Sequence, residues 1–138
     1  MYVLTILESI LKIEKYTKAF STADELYFAN DQLQFNAVLK LLSVIGEDVG
    51  KLDKIYLDEH PSIPWKLIKD TRNFLVHDYR KVDHFIVFSI LKDELPELKS
   101  VSADILTGMR HEISNDEWQT ILNSPFYTHS ANYLKENN

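Results

Sequence analysis

The chain contains no cysteine, which excludes disulfides, thiolate metal sites and cysteine nucleophiles. Glycine and proline are scarce, three and four residues, and long stretches run without either; helices are favoured over a turn-rich β fold. Arginine occurs only as Arg72, Arg80 and Arg110, and acidic residues outnumber basic ones to give a net charge of −6. Such a balance argues against broad, nonspecific nucleic-acid binding but leaves room for a local basic patch. No apolar run is long enough to span a bilayer. The opening "MYVLTILESILKIEKYTK" is interrupted by Glu8, Lys12 and Glu14 and lacks the basic region and cleavage site of a signal peptide. A cytoplasmic protein with no membrane association is expected. There is no Gly-rich phosphate loop, so the chain is not expected to bind ATP alone or to carry a cofactor.

What is present reads as one domain's worth of helix. The 138 residues are 45% hydrophobic and 26% charged, enough for a single core. Val3, Ile6, Ile10, Ile13, Thr17 and Phe20 recur at spacings of three and four, one face of a helix over 2–20. Thr22 and Glu25 form a capping box that starts a second, shorter helix. Val38, Leu41, Leu42, Ile45 and Val49 mark a third, over 32–49, with Gly50 as its stop. Pro61 and Pro64 break the chain, with Ser62 as a cap and Pro64 in a first turn. A helix then runs from about 64 to 79 and another from about 82 to 95, interrupted by "ELPEL". The expected fold is all-α, an antiparallel bundle of four main helices over 1–99. A helical C-terminal extension over 100–138 follows, with a second capping box at Ser114 and Glu117 and a stop at Pro125. That extension either packs on the bundle or binds a partner.

The stretch "RNFLVHDYR" at 72–80 concentrates polar chemistry. At about 100° per residue, Asn73 and His77 share one line of the helix with Lys66 and Lys69 nearby. Leu67, Ile68, Thr71, Phe74 and Leu75 are expected to face the core. Arg72 and His77 diverge by about 140° around the axis. A joint site therefore needs the helix to distort or end near His77, or two copies to meet across a two-fold axis. Histidine can move a proton near neutrality, and arginine can stabilise a phosphate or a pentacoordinate phosphorane. Asn73 can orient the histidine or hold a phosphate oxygen, and Lys66 and Lys69 supply local positive field. The set suits metal-free RNA cleavage through attack of the 2′-hydroxyl. The alternative is a solvated polar face.

Other candidates read as structural. His60 is a turn residue; His84, His111 and His129 lack metal-site spacing; Glu47 and Asp48 are expected on solvated surface. Trp65 is expected to anchor the core, with base stacking as the alternative.

The segments "ILESILKIEKYTK", "IGE", "IPW", "DELPELK" and the intact Arg72, His77, Tyr79 pattern resemble the HepT-like toxins of the HEPN superfamily, over about residues 1–99. The resemblance implies a homodimer with facing motif helices and metal-independent ribonuclease activity, with Arg72 and His77 as the catalytic pair and Asn73 in support. It further implies a minimal nucleotidyltransferase antitoxin as partner, transfer of AMP to Tyr79, and transfer RNA or messenger RNA as substrate. Relatives often carry Phe-Gly after the tyrosine; Arg80 and Lys81 stand there instead, adding positive charge for RNA contact. A rival reading is a non-catalytic binding or scaffold subunit of a nucleotidyltransferase.

Overall fold

The computed structural model describes residues 2–137. Its elements are α1 (Tyr2–Thr17), α2 (Ala23–Phe28), α3 (Leu33–Val49), α4 (Lys54–Glu59), α5 (Trp65–His77), α6 (His84–Asp93), α7 (Leu95–Met109), α8 (Asn115–Leu122) and α9 (Thr128–Glu136). No strand occurs among the described residues. The chain is an all-α bundle with additional C-terminal helices.

The first helix is the centre of the fold. Leu4, Ile6, Leu7 and Ile10 are fully enclosed, each contributing about 1.5–3 kcal/mol of apolar burial. Around α1 stand α3, α7 and α9. The Lys51 ammonium over the Tyr2 ring places the end of α3 beside the start of α1. Glu14 pairs with Lys99 at 3.1 Å, while Val3 and Ile105 line a common cavity; α1 and α7 are therefore antiparallel. On its far side α3 carries α5.

Local chemistry explains most helix ends. Thr22 accepts from the Glu25 amide at 3.1 Å, and the Glu25 carboxylate reaches back to the Ser21 amide at 2.7 Å. Ser114 and Glu117 form a complete capping box. Between α2 and α3, Asn30, Asp31 and Gln32 all take left-handed backbone angles, with φ of 51°, 55° and 63°. Such angles cost a residue other than glycine on the order of 1 kcal/mol, and they kink the chain between α2 and α3.

Helix α3 ends at Val49 beside Gly50, as expected, but Gly50 is right-handed, φ −64°, so its lack of a side chain is not what stops the helix. Ser62 caps nothing; its hydroxyl donates to Glu97 at 2.7 Å and ties the loop to α7. Within "ELPEL", Pro96 occupies the first turn of a new long helix, where a missing N–H costs nothing. That helix, α7, runs unbroken through residues 99 and 100, where bundle and extension divide in the sequence reading.

The extension packs on the bundle. Ser130, Ala131 and Leu134 are buried. The carboxylate of Glu8, 1% exposed, accepts from the Ser130 backbone amide at 2.9 Å. It thereby satisfies one of the free amides in the first turn of α9, as an N-cap side chain would. His129 Nδ1 lies 3.2 Å from the other carboxylate oxygen, but without hydrogen-bond alignment.

Candidate functional site at the end of α5

The geometry of α5 begins in the loop before it. The Trp65 indole N–H donates to the His60 carbonyl at 3.0 Å and closes the loop across the two prolines; half-buried, the ring packs on the core. The helix runs to His77 and stops where Asp78 leaves helical angles, at φ −126° and ψ 35°. A 3₁₀ turn, Tyr79–Lys81, follows. It is closed by the Lys81 amide donating to the Asp78 carbonyl at 2.8 Å. Asp83 then caps α6 by accepting from the Phe85 and Ile86 amides. The motif thus straddles a helix end: Arg72, Asn73 and His77 on the helix, Tyr79 in the turn.

Contacts with α3 fix the register. A Cβ placed on Gly46 would collide with Arg72 Cβ and stand 2.9 Å from the Ile68 carbonyl, while at Gly50 the nearest side chain is Lys69, at 3.5 Å. At the other end of α3, the Tyr79 hydroxyl donates to Asn36 Oδ1. Position numbers rise along α3 as they fall along α5, so the two are antiparallel. Arg72 stands on the flank of α5 pressed against α3, where only a glycine leaves room.

Each candidate residue has a definite place. Arg72 is half-buried, and its Nη1 donates to Asn73 Oδ1 at 3.2 Å; Asn73 therefore orients the arginine. His77 is exposed in the last turn of α5, and Tyr79 is 51% exposed. Lys66 is 92% exposed and 4.0 Å from Asp70, a pairing worth little in water. The stem of Lys69 leans on the end of α3. Arg80 and Lys81 are exposed in the turn. Since α5 stays helical through both residues, Arg72 and His77 project about 140° apart, and one chain does not aim them at a common point.

The far flank of α5 corrects the sequence reading. Leu67 and Phe74, expected in the core, are 54% and 44% exposed. They line a groove of about 350 Å³ between α5 and α6, with Val82, Ile86 and Lys81. Glu47 lies on the surface, 3.5 Å from Lys51. Asp48, its neighbour, is buried, and that burial raises its carboxyl above the usual range, Lys51 opposing and Glu47 adding to the shift. Among the described residues no cluster of histidine and carboxylates is arranged to hold a metal ion, and no helix is long and apolar enough to cross a membrane.

Gly46 and Asn36 escape a reading by sequence. A glycine inside a helical run is a signal of close approach, and Gly46 carries it. Nothing near Asn36 marks it as a partner of a residue 43 positions away.

A family model described as ribonuclease HepT-like matches residues 6–105. Among curated proteins, "Putative RNase MJ1380" of Methanocaldococcus jannaschii is 31% identical over 94 residues, covering 68% of this chain and 84% of that protein. "Probable ribonuclease HepT" of Thermococcus cleftensis is 32% identical over 98 residues, 71% of this chain and 86% of that one. "Gamma-glutamylcyclotransferase and putative RNase MJ0434" of M. jannaschii is 35% identical over 115 residues, 83% of this chain and 50% of that protein. The last match is too long to end before residue 100, so similarity extends into the C-terminal helices. No solved structure matches the chain significantly.

Proposed function

This chain belongs to the ribonuclease HepT-like family, and on that premise we propose that it is the metal-independent endoribonuclease toxin of a two-component toxin–antitoxin module, acting in the cytoplasm. The observation that carries the reading is the motif at the end of α5. His77 is exposed in the last helical turn, and the Arg72 guanidinium is oriented by Asn73. In the proposed reaction His77 takes the proton of an RNA 2′-hydroxyl, whose oxygen attacks the adjacent phosphorus. The bond from phosphorus to the 5′-oxygen breaks, that oxygen gains a proton, and a 2′,3′-cyclic phosphate remains. Arg72 stabilises the charge of the phosphorane. Lys66, Lys69, Arg80 and Lys81 contact flanking phosphates of a transfer or messenger RNA.

The divergence of Arg72 and His77 supports a homodimer in which motif helices face each other across a two-fold axis. The exposed Leu67 and Phe74 lie on the flank of α5 toward α6, beside that face rather than on it, and add apolar area at its edge. Neutralisation is proposed to come from a minimal nucleotidyltransferase. It transfers AMP from ATP to the Tyr79 oxygen, releasing pyrophosphate and the phenolic proton. With half of Tyr79 open to solvent, a second protein can reach it, and the added anion beside the cleft would repel RNA.

The test is cleavage of a mixed RNA pool in EDTA by protein made without a partner, beside His77→Ala, with fragment ends mapped. Cyclic-phosphate ends from the parent alone support the nuclease. Intact RNA with both proteins, and a mass showing unmodified Tyr79, favours the scaffold role instead.

A further inference from the structure

We propose that Asn36, on α3, is a positioning residue for the ribonuclease site: it anchors the motif turn through the hydroxyl of Tyr79. The inference deepens the ribonuclease reading and rests on it for its activity arm.

The turn that follows α5 is held locally by backbone bonds, the Lys81 amide to the Asp78 carbonyl at 2.8 Å and the Val82 amide to the Tyr79 carbonyl at 3.3 Å. Asp78, Tyr79, Arg80 and Lys81 are all exposed, so packing does little to fix them. Among the described residues, the one side-chain hydrogen bond that ties this turn to another helix runs from the Tyr79 hydroxyl to Asn36 Oδ1. Asn36 is itself exposed, but the helix that carries it is firmly seated. Phe35, Val38 and Leu39, around Asn36 on α3, are buried at 4%, 0% and 4% exposure. A rigid helix thus holds the far end of a long aromatic side chain, and the backbone between His77 and Arg80 hangs on it. The bond also has a chemical sense. An amide oxygen is a neutral acceptor, so it fixes the phenol without placing a negative charge beside a phosphate-binding surface.

Gly46 and Asn36 divide the positioning of the motif. The glycine sets how closely Arg72 approaches α3; the asparagine sets where the chain goes after His77. A catalytic base at a helix end needs the second as much as the first, because displacements of about 1 Å at a reacting group cost up to roughly a hundredfold in rate.

The test is a double-mutant cycle on Asn36→Ala and Tyr79→Phe, with kcat/KM for RNA cleavage and amide hydrogen exchange of Lys81 and Val82 both measured. Each single variant is expected to lower kcat/KM about three- to tenfold, and the double variant to be no worse than either single. Exchange at Lys81 and Val82 should quicken equally in all three. Additive losses, or unchanged exchange in Asn36→Ala, would overturn the proposal. If the parent does not cleave RNA, the ribonuclease reading fails separately, and exchange alone still decides whether Asn36 anchors the turn.

Discussion

Gly46 of α3 lies directly beneath Arg72 of α5, so close that the two helices touch through the bare backbone of one and the Cβ of the other. The contact has no flexible end that could swing aside, because the opposing atoms are Arg72 Cβ and the Ile68 carbonyl. Gly46→Ala must therefore push α5 outward. Alanine gains about 1 kcal/mol of helix propensity, against an overpacking cost of about 1–3 kcal/mol and a displaced Arg72. We expect a lower Tm and a more than tenfold loss of RNA cleavage. Gly108→Ala is the control, since nothing lies within 4 Å of a Cβ there; it should gain about 0.5–1 kcal/mol. Equal stabilisation by both changes would contradict the close approach.

Arg72→Lys keeps the charge but loses the planar fork that Asn73 orients. Cleavage is expected to fall about a hundredfold, with thermal stability close to the parent's. The check is single-turnover cleavage at saturating protein; a rate within twofold of the parent would mean that charge alone is needed.

Glu8→Ala removes the carboxylate that holds the first turn of α9 and leaves the Ser130 amide without its acceptor. A loss of about 1–3 kcal/mol is expected, read first as faster amide exchange across α9 while α3 stays protected. Glu8→Gln keeps an acceptor oxygen and should lose less. Undisturbed α9 protection in Glu8→Ala would show that Leu134 and Ala131 hold the helix unaided.

Asp48 and Glu94 are both raised, chiefly by burial, above ordinary carboxyl values of 3.8 and 4.5. In the window between those ordinary values and the raised ones, the folded state binds more protons than the unfolded state. Stability from these groups therefore falls as pH rises through that window, the reverse of an ion-paired carboxylate. Asp48→Asn and Glu94→Gln should each raise Tm at neutral pH by about 1–3 °C. The advantage should fade near about pH 4. Melting curves at both pH values decide it, and an advantage that grows on acidification would reverse the sign.

Much of the fold was legible because it is local. The spacing of Val3, Ile6, Ile10 and Ile13 announces α1, and the capping boxes at Thr22 and Ser114 mark helix starts with side chains three residues apart. The misreadings were relational. Periodicity identifies Leu67 and Phe74 as apolar neighbours on α5 but does not say whether another helix covers them; beside them a groove opens. Ser62 has the chemistry of a cap, and only the arrival of α7 diverts it to Glu97. At the site, Arg72, His77 and Tyr79 stood out as a spaced set. Their supports on α3 did not, since Asn36 meets Tyr79 only after the chain has folded back on itself.

The bond from Ser130 to Glu8 spans 122 positions, and that separation sets a clock. A ribosome adds about 5–20 residues per second, so the carboxylate of α1 waits on the order of ten seconds for the amide that will receive it. Through that interval α1 carries an ionisable group, Glu8, on the face meant for the core. Burying that face early would strand the Glu8 carboxylate without its Ser130 donor, at a cost of about 1–3 kcal/mol or more, so closure around α1 is disfavoured until α9 is available.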